Sequence, residues 1–161
     1  MSLTNLQKLD DTGSDSAYKQ QRFTILKLLE GNIPTPYFDK KGFITIGIGF
    51  EIDNNTGNRD LVLGTKGMNL SAAQQDIINV AFKSSRMAQI KALPQATKAQ
   101  RLAKDEALGV YLNSVLGSQP FSMTDPQIKG VFDVLVQKHQ DAISTLISDP
   151  SIEKIILTLQ T

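Results

Sequence analysis

The chain has 161 residues, with 17 Lys+Arg against 16 Asp+Glu. A chain of this length buries a core without disulfides or metals, and its balanced charge lacks the basic field typical of nucleic-acid-binding proteins. Cysteine is absent and His139 is the only histidine, which excludes a Cys/His zinc centre. The composition therefore argues against a zinc centre of this kind and against a nucleic-acid partner, and we expect no metal and no cofactor.

The sequence carries no visible signal for export or membrane anchoring. No apolar run approaches the ~20 residues of a membrane span. The polar opening, residues 1–16, lacks the basic start and apolar stretch of a signal peptide. We therefore expect a protein made in the cytoplasm without membrane insertion, which needs another route of release or export if it acts outside. We also expect a monomer.

The first predicted elements are a helix and a hairpin. The helix covers residues 17–30, and Gly31 ends it. Its apolar residues recur at helical spacing and would share one face: Tyr18, Ile25, Leu26 and Leu29. Residues 43–52 are rich in β-branched and aromatic side chains, although two glycines interrupt them. They predict one arm of an antiparallel hairpin whose turn lies at residues 40–42.

The remaining elements are mainly helical. Turn-forming residues predict loops over residues 53–60 and 64–67. Three helix starts show a Ser or Thr followed three residues later by Gln, which is the pattern of a capping box: Ser71, Thr97 and Thr124. The third helix would continue to about Ile147, and a last short helix would follow Pro150.

These elements predict an α+β fold. A polar lead-in would cover residues 1–16, and one domain would cover residues 17–161. Within that domain, residues 17–70 would form a small lobe with a short antiparallel β-hairpin or sheet. Residues 71–161 would form a mainly helical lobe.

Two carboxyl groups and a hydroxyl follow one another along the predicted helix and hairpin, at Glu30, Asp39 and Thr45. Glu30 ends a helix, where the helix dipole disfavours a charged carboxylate, and apolar neighbours between residues 28 and 33 would favour the same neutral form by desolvation. Asp39, in a Lys-flanked turn, would stay ionised. A neutral acid, a charged carboxylate and a hydroxyl that orients water meet the minimum needs of glycosidic-bond hydrolysis.

The same residues have ordinary structural explanations. A Glu at a helix end is usually a solvated surface residue, and an Asp before a glycine turn usually caps that turn. Thr45 is a common strand former, and Gly47 and Gly49 mark a bulge as readily as they admit a bulky polymer close to the backbone. The chemistry of the residues alone leaves both interpretations open.

Residues 28–49 resemble the catalytic signature of the phage-type lysozymes, the muramidases that cleave the glycan strand of peptidoglycan. The spacing of the Glu, Asp and Thr agrees with that family without a gap. The matching residues are Glu30-Gly31, Tyr37, Asp39, Gly42 and the run Thr45-Ile46-Gly47-Ile48-Gly49.

The resemblance implies a lysozyme-like fold and hydrolysis of the β-1,4 bond between N-acetylmuramic acid and N-acetylglucosamine, with inversion. Glu30 would be the general acid, and Asp39 and Thr45 would position and activate the attacking water or stabilise the positive charge on the sugar. Contacts with the substrate are expected at Tyr37, Gly47, Gly49 and Phe50. The partner would be the peptidoglycan strand of the periplasm or cell exterior, and an inhibitor or immunity protein would suit such an enzyme.

The chain also departs from the family. Phe50 stands where these lysozymes often carry a His that helps to hold the catalytic Glu. Residues 137–142 contain no glycine where the family's central helix usually ends in a glycine turn, and the chain contains no Trp. These departures indicate a divergent, bacteriolytic branch. They also keep open the alternative of a catalytically inactive lysozyme-like module that binds glycan or a protein partner.

Overall fold

The computed structural model describes residues 16–117 and 119–147. Six helices and one three-stranded sheet lie within these residues: α1 (Ser16–Glu30), β1 (Ile33–Phe38), β2 (Ile44–Gly47), β3 (Phe50–Glu51), α2 (Thr56–Leu63), α3 (Ala72–Phe82), α4 (Ser85–Lys91), α5 (Lys98–Leu116) and α6 (Asp125–Ile147). The predicted α+β class is confirmed. Most of the predicted lead-in and the predicted last helix lie outside the described residues. None of the described helices combines the length and apolar character needed to span a bilayer.

The predicted hairpin is formed by β1 and β2, which pair antiparallel. Its turn lies where the sequence predicted it. The Asp39 N–H donates to the Phe43 carbonyl at 2.9 Å, and the Gly42 N–H donates to the Asp39 carbonyl at 3.0 Å. Gly42 has a φ of 86°, which L-residues with side chains rarely adopt. The hairpin is therefore set by local turn chemistry.

The glycine-interrupted segment 43–52 forms two strands rather than one. Gly47 and Gly49 have φ values of 69° and 97°, and between them the chain turns back. Ile46 of β2 therefore pairs with Phe50 of β3. The sheet has the order β1-β2-β3, which leaves β1 at one edge.

The core lies between this sheet and the surrounding helices. All four residues of β2 are buried, as expected of a strand that is covered on both faces. Helix α5 packs on β1 and on α3, and α2 packs on β3. Fully buried side chains from six elements or their borders meet here: Ile44, Ile46, Ile52, Leu63, Ile78, Leu108 and Ile128.

The prediction of which face of α1 is buried was wrong. Where the burial of this helix is described, Phe23 is the buried residue, and its ring centroid lies 5.9 Å from that of Phe132 in α6. Ile25 and Leu29 are instead 55% and 75% exposed. Leu26 packs partly on the core, and the side chain of Tyr18 lies outside the described part. α1 thus packs against α6 through Phe23, and no described element covers Ile25 or Leu29.

A helix occupies most of the segment 53–60, so the loop predicted there was wrong. The Asn55 side chain caps α2, because its Oδ1 accepts the Asn58 N–H at 3.0 Å. At the other end Val62 and Leu63 are fully buried. The cap and this burial outweigh the weak helix propensity of the glycine and asparagine in the segment.

The predicted helix starts at Ser71 and Thr97 are confirmed, and both show complete capping boxes. The third start is also present: the Thr124 N–H donates to Gln127 Oε1 at 2.7 Å, just before α6. The sequence did not predict the short helix α4, which Ser84 caps by accepting the N–H of Met87. These caps fix where the helices around the sheet begin.

Candidate active site

Glu30 is the last residue of α1, and its side chain is exposed. Gly31, with a φ of 79°, turns the chain away from the helix into β1. The apolar neighbours expected to desolvate the carboxylate do not cover it, since Leu28 and Leu29 are 81% and 75% exposed. Among the described residues, none forms a hydrogen bond or ion pair with this carboxylate. Glu30 is therefore open to solvent and to a large substrate.

The chain on either side of Glu30 is tied to the start of α6. Asp125, the first residue of that helix, accepts from Asn32 Nδ2 at 2.7 Å and pairs with Lys27 Nζ at 2.5 Å. These two hydrogen bonds hold the pKa of the Asp125 carboxyl below its usual range. A negative charge in the first turn of a helix is also favoured by the helix dipole. Asp125 thus anchors the end of α1.

We expect Asp125→Asn to lower the melting temperature slightly at pH 7 and less at acid pH. Because the pKa is lowered in the folded state, the stabilisation is present above the ordinary value of about 3.9 and is lost as the pH falls through the folded-state value. Thermal unfolding of both proteins at pH 7 and pH 3 measures this. A deficit of the variant that is the same at both pH values would contradict the proposed role of the charge.

The two carboxylate oxygens of Asp39 differ in their contacts. Its Oδ1 accepts the N–H groups of Lys41 and Phe43 at 2.8 and 2.9 Å, which is the turn-capping role that ordinary chemistry predicts. No described residue donates to its Oδ2. One oxygen therefore fixes the carboxylate in the turn while the other remains available to a water molecule or ligand.

Tyr37 lies opposite Thr45 in the pairing of β1 with β2. Burial raises the pKa of the Tyr37 hydroxyl, and the negative charges of Asp39, Asp105 and Glu30 raise it further, in that order. The Tyr37 hydroxyl thus lies within the electrostatic influence of both predicted catalytic carboxylates. Thr45 is only 3% exposed, and its hydroxyl donates to the Phe43 carbonyl at 3.3 Å.

The other predicted contact residues differ in accessibility. Gly49 is exposed, and a Cβ there would meet no atom within 4 Å. Gly47 is buried, and a Cβ there would lie 3.0 Å from the Phe50 ring and 3.3 Å from Ile128. Phe50 itself is 4% exposed and belongs to the hydrophobic core. Tyr37 and Gly49 are thus the accessible members of the predicted set, and a substrate contact of Gly47 or Phe50 stays a prediction.

Sequence reasoning missed Asp105, which α5 brings to this region. Its Oδ1 accepts the Phe38 N–H at 2.8 Å, and burial raises the pKa of its carboxyl. The neighbouring Lys104 is buried, which is rare for a lysine. No local pattern could have revealed this contact, because a charged pair one turn before Leu108 is common on exposed helices.

Two further features bear on what the site can bind. In the part of the chain that the structure describes, no three or more acidic or histidine side chains are grouped to hold a metal ion. An open pocket of about 370 Å³ lies between α4 and α5. Its lining contains no predicted site residue: Arg86, Ala103, Glu106, Ala107, Val110, Tyr111 and Ser114. The carboxylate region around Tyr37 is thus separate from this pocket.

No protein-family model, curated protein or solved structure matches this chain. The resemblance of residues 28–49 to the phage-type lysozymes therefore rests on those residues themselves. Membership of that family stays a prediction.

Proposed function

We propose that this chain is a peptidoglycan hydrolase, a muramidase similar to the phage-type lysozymes. It would cleave the β-1,4 bond between N-acetylmuramic acid and N-acetylglucosamine in the cell wall, which it reaches after release or export. The observation that carries the proposal is the hairpin. Asp39 lies in its turn, Thr45 lies opposite Tyr37 on its strands, and Tyr37 is within electrostatic reach of Asp39 and Glu30.

In the proposed reaction Glu30 donates a proton to the glycosidic oxygen. Its exposed position at the end of α1 suits contact with a polymer. Asp39 accepts a proton from water through its available Oδ2, and that water attacks the anomeric carbon from the opposite face of the sugar. An inverting reaction requires the two carboxyl groups to lie roughly 6.5–9.5 Å apart, so that the water fits between them. Thr45 would hold the water or the Asp39 turn in position.

A second candidate function is a catalytically silent module that binds glycan or a protein partner. Two observations favour it. The Thr45 hydroxyl is buried and already donates to a backbone carbonyl, and no described side chain orients Glu30. An inactive relative would keep the hairpin, because its turn and glycines serve the fold.

The test is release of soluble muropeptides from purified peptidoglycan. Reduction of the products with borohydride followed by mass spectrometry identifies the reducing-end sugar. Products that end in muramic acid would support the muramidase. Absence of products, with the protein still sedimenting with the insoluble wall, would favour the binding module. N-acetylglucosamine at the reducing end would contradict the proposed bond.

Asp39→Asn should lower the rate of release about 10²- to 10⁴-fold, the usual contribution of a general base. An amide oxygen can still accept from Lys41 and Phe43, so the turn and the melting temperature should be preserved. The matched control is Asp76→Asn on the exposed part of α3, which should keep the wild-type rate. A folded Asp39→Asn variant with the wild-type rate would remove Asp39 from the mechanism.

A further inference from the structure

The carboxylate of Asp105 joins α5 to the strand that carries Tyr37. β1 is an edge strand, so some of its N–H groups have no partner within the sheet. Asp105 Oδ1 satisfies one of them by accepting from Phe38 at 2.8 Å. Phe38 is the residue between Tyr37 and Asp39. The carboxylate therefore holds the backbone at the point where both predicted site residues are attached.

The neighbouring Lys104 does not neutralise this carboxylate by a direct ion pair. Its buried ammonium donates to the Lys91 carbonyl at 2.7 Å and to Gln95 Oε1 at 3.2 Å. It also lies 4.4 Å from the centroid of the Phe38 ring. Lys104 thus fixes α5 against the chain that follows α4 and against β1, and Asp105 extends from this fixed helix to the Phe38 amide.

We propose that Asp105 is a positioning residue of the active site, which fixes the backbone between Tyr37 and Asp39 and thereby places both side chains. The effect of this placement on catalysis rests on the proposed function. The contact between Asp105 and β1 does not.

The charged groups facing Tyr37 come from three elements. Glu30 ends α1, Asp39 lies in the hairpin turn, and Asp105 lies on α5 beside Lys104. Burial and the three negative charges together raise the pKa of the Tyr37 hydroxyl, and burial lowers the pKa of Lys104. The charge of Asp105 gives a measurable sign of its position beside Tyr37, because removal of a nearby negative charge lowers the pKa of a tyrosine hydroxyl.

The first experiment is a spectroscopic titration, which needs no substrate. The chain has three tyrosines and no Trp, so near-ultraviolet absorbance of phenolate reports tyrosine ionisation directly, and Tyr37→Phe identifies the component that belongs to Tyr37. Asp105→Asn keeps an acceptor for the Phe38 N–H and removes the charge. We expect the titration midpoint of Tyr37 to fall in this variant, whereas Glu106→Gln, at the exposed neighbouring carboxylate, should leave it unchanged.

A Tyr37 midpoint that does not move in Asp105→Asn would overturn the proposal. The second measurement is the kcat of muropeptide release. Asp105→Leu removes the acceptor as well as the charge, and misplacement of Tyr37 and Asp39 should lower kcat by about 10²-fold, with a smaller loss in Asp105→Asn and little change in KM. Equal kcat in the wild type and in a folded Asp105→Leu would also overturn it.

The two proposals fail in distinguishable ways. A wild-type chain that releases no muropeptides contradicts the proposed function, while the titration still decides whether Asp105 acts on Tyr37. A fully active enzyme whose Tyr37 midpoint ignores Asp105 contradicts only the positioning role. If Asp105→Leu does not fold, Asp105→Asn alone provides both readings.

Discussion

Glu30→Gln is expected to abolish muropeptide release while leaving the fold unchanged. The amide is close to the carboxyl group in size but has no acidic proton to give to the glycosidic oxygen. Loss of a general acid lowers the rate about 10²- to 10⁴-fold. The side chain is exposed and makes no hydrogen bond to the described residues, so the free energy of unfolding should change by no more than about 0.5 kcal/mol.

Initial rates of muropeptide release, measured beside thermal unfolding and sedimentation with the wall, separate catalysis from binding and folding. Glu106→Gln serves as the matched control, since it makes the same change at an exposed site on α5. Glu30→Gln should still sediment with peptidoglycan at the wild-type level. Wild-type rates in Glu30→Gln would remove Glu30 as the acid, and because products would still form, they would also contradict the catalytically silent module.

The hairpin could be predicted from the sequence because its determinants are local. Asp39 caps its own turn through two backbone N–H groups within four residues, and Gly42 supplies the positive φ that the turn requires. The same holds for the capped helix starts at Ser71 and Thr97. Side chains that satisfy nearby backbone groups leave a signature at fixed spacing.

Features that depend on distant partners could not be predicted in this way. Which residues of α1 are buried follows from the position of Phe132 on α6, far along the chain. The contact of Asp105 with Phe38 spans 67 residues, and the burial of Lys104 depends on acceptors at Lys91 and Gln95. Periodicity gives the type of an element, but tertiary packing chooses its buried face.

Some residues of the lysozyme-like signature contribute to the fold, and others make no described contact that would stabilise it. Thr45 is buried, and a Cβ at Gly47, where φ is 69°, would press on the Phe50 ring at 3.0 Å and on Ile128 at 3.3 Å. A chain would keep these two for its fold even without any activity. Glu30 is exposed, and no described packing or hydrogen bond explains it. Substitutions at Glu30 and Asp39 therefore test catalysis most directly, because neither Glu30 nor Asp39 Oδ2 is held by a hydrogen bond to a described residue.

Gly67→Ala is expected to have the largest effect on stability. A Cβ at this position would lie 2.0 Å from the Val62 carbonyl oxygen and 2.8 Å from the Leu61 carbonyl oxygen. These are backbone atoms at the end of α2, and the Val62 oxygen already accepts the Met68 N–H at 2.7 Å. Relief of the clash requires the backbone to move. We expect a loss of at least about 3 kcal/mol in the free energy of unfolding, the upper end of overpacking effects.

Gly109→Ala provides the matched control, because the substitution is the same and the surroundings are open. A Cβ at Gly109 would meet no neighbouring atom within 4 Å, and alanine favours the interior of a helix such as α5 by about 0.5–1 kcal/mol over glycine. Denaturant unfolding should therefore show opposite signs for the two variants. Similar free energies in both would mean that the turn after α2 does not approach Val62 in solution. The expected loss is a large part of the roughly 5–15 kcal/mol that stabilises a typical domain. Gly67→Ala should therefore unfold at a temperature at which Glu30→Gln is still folded.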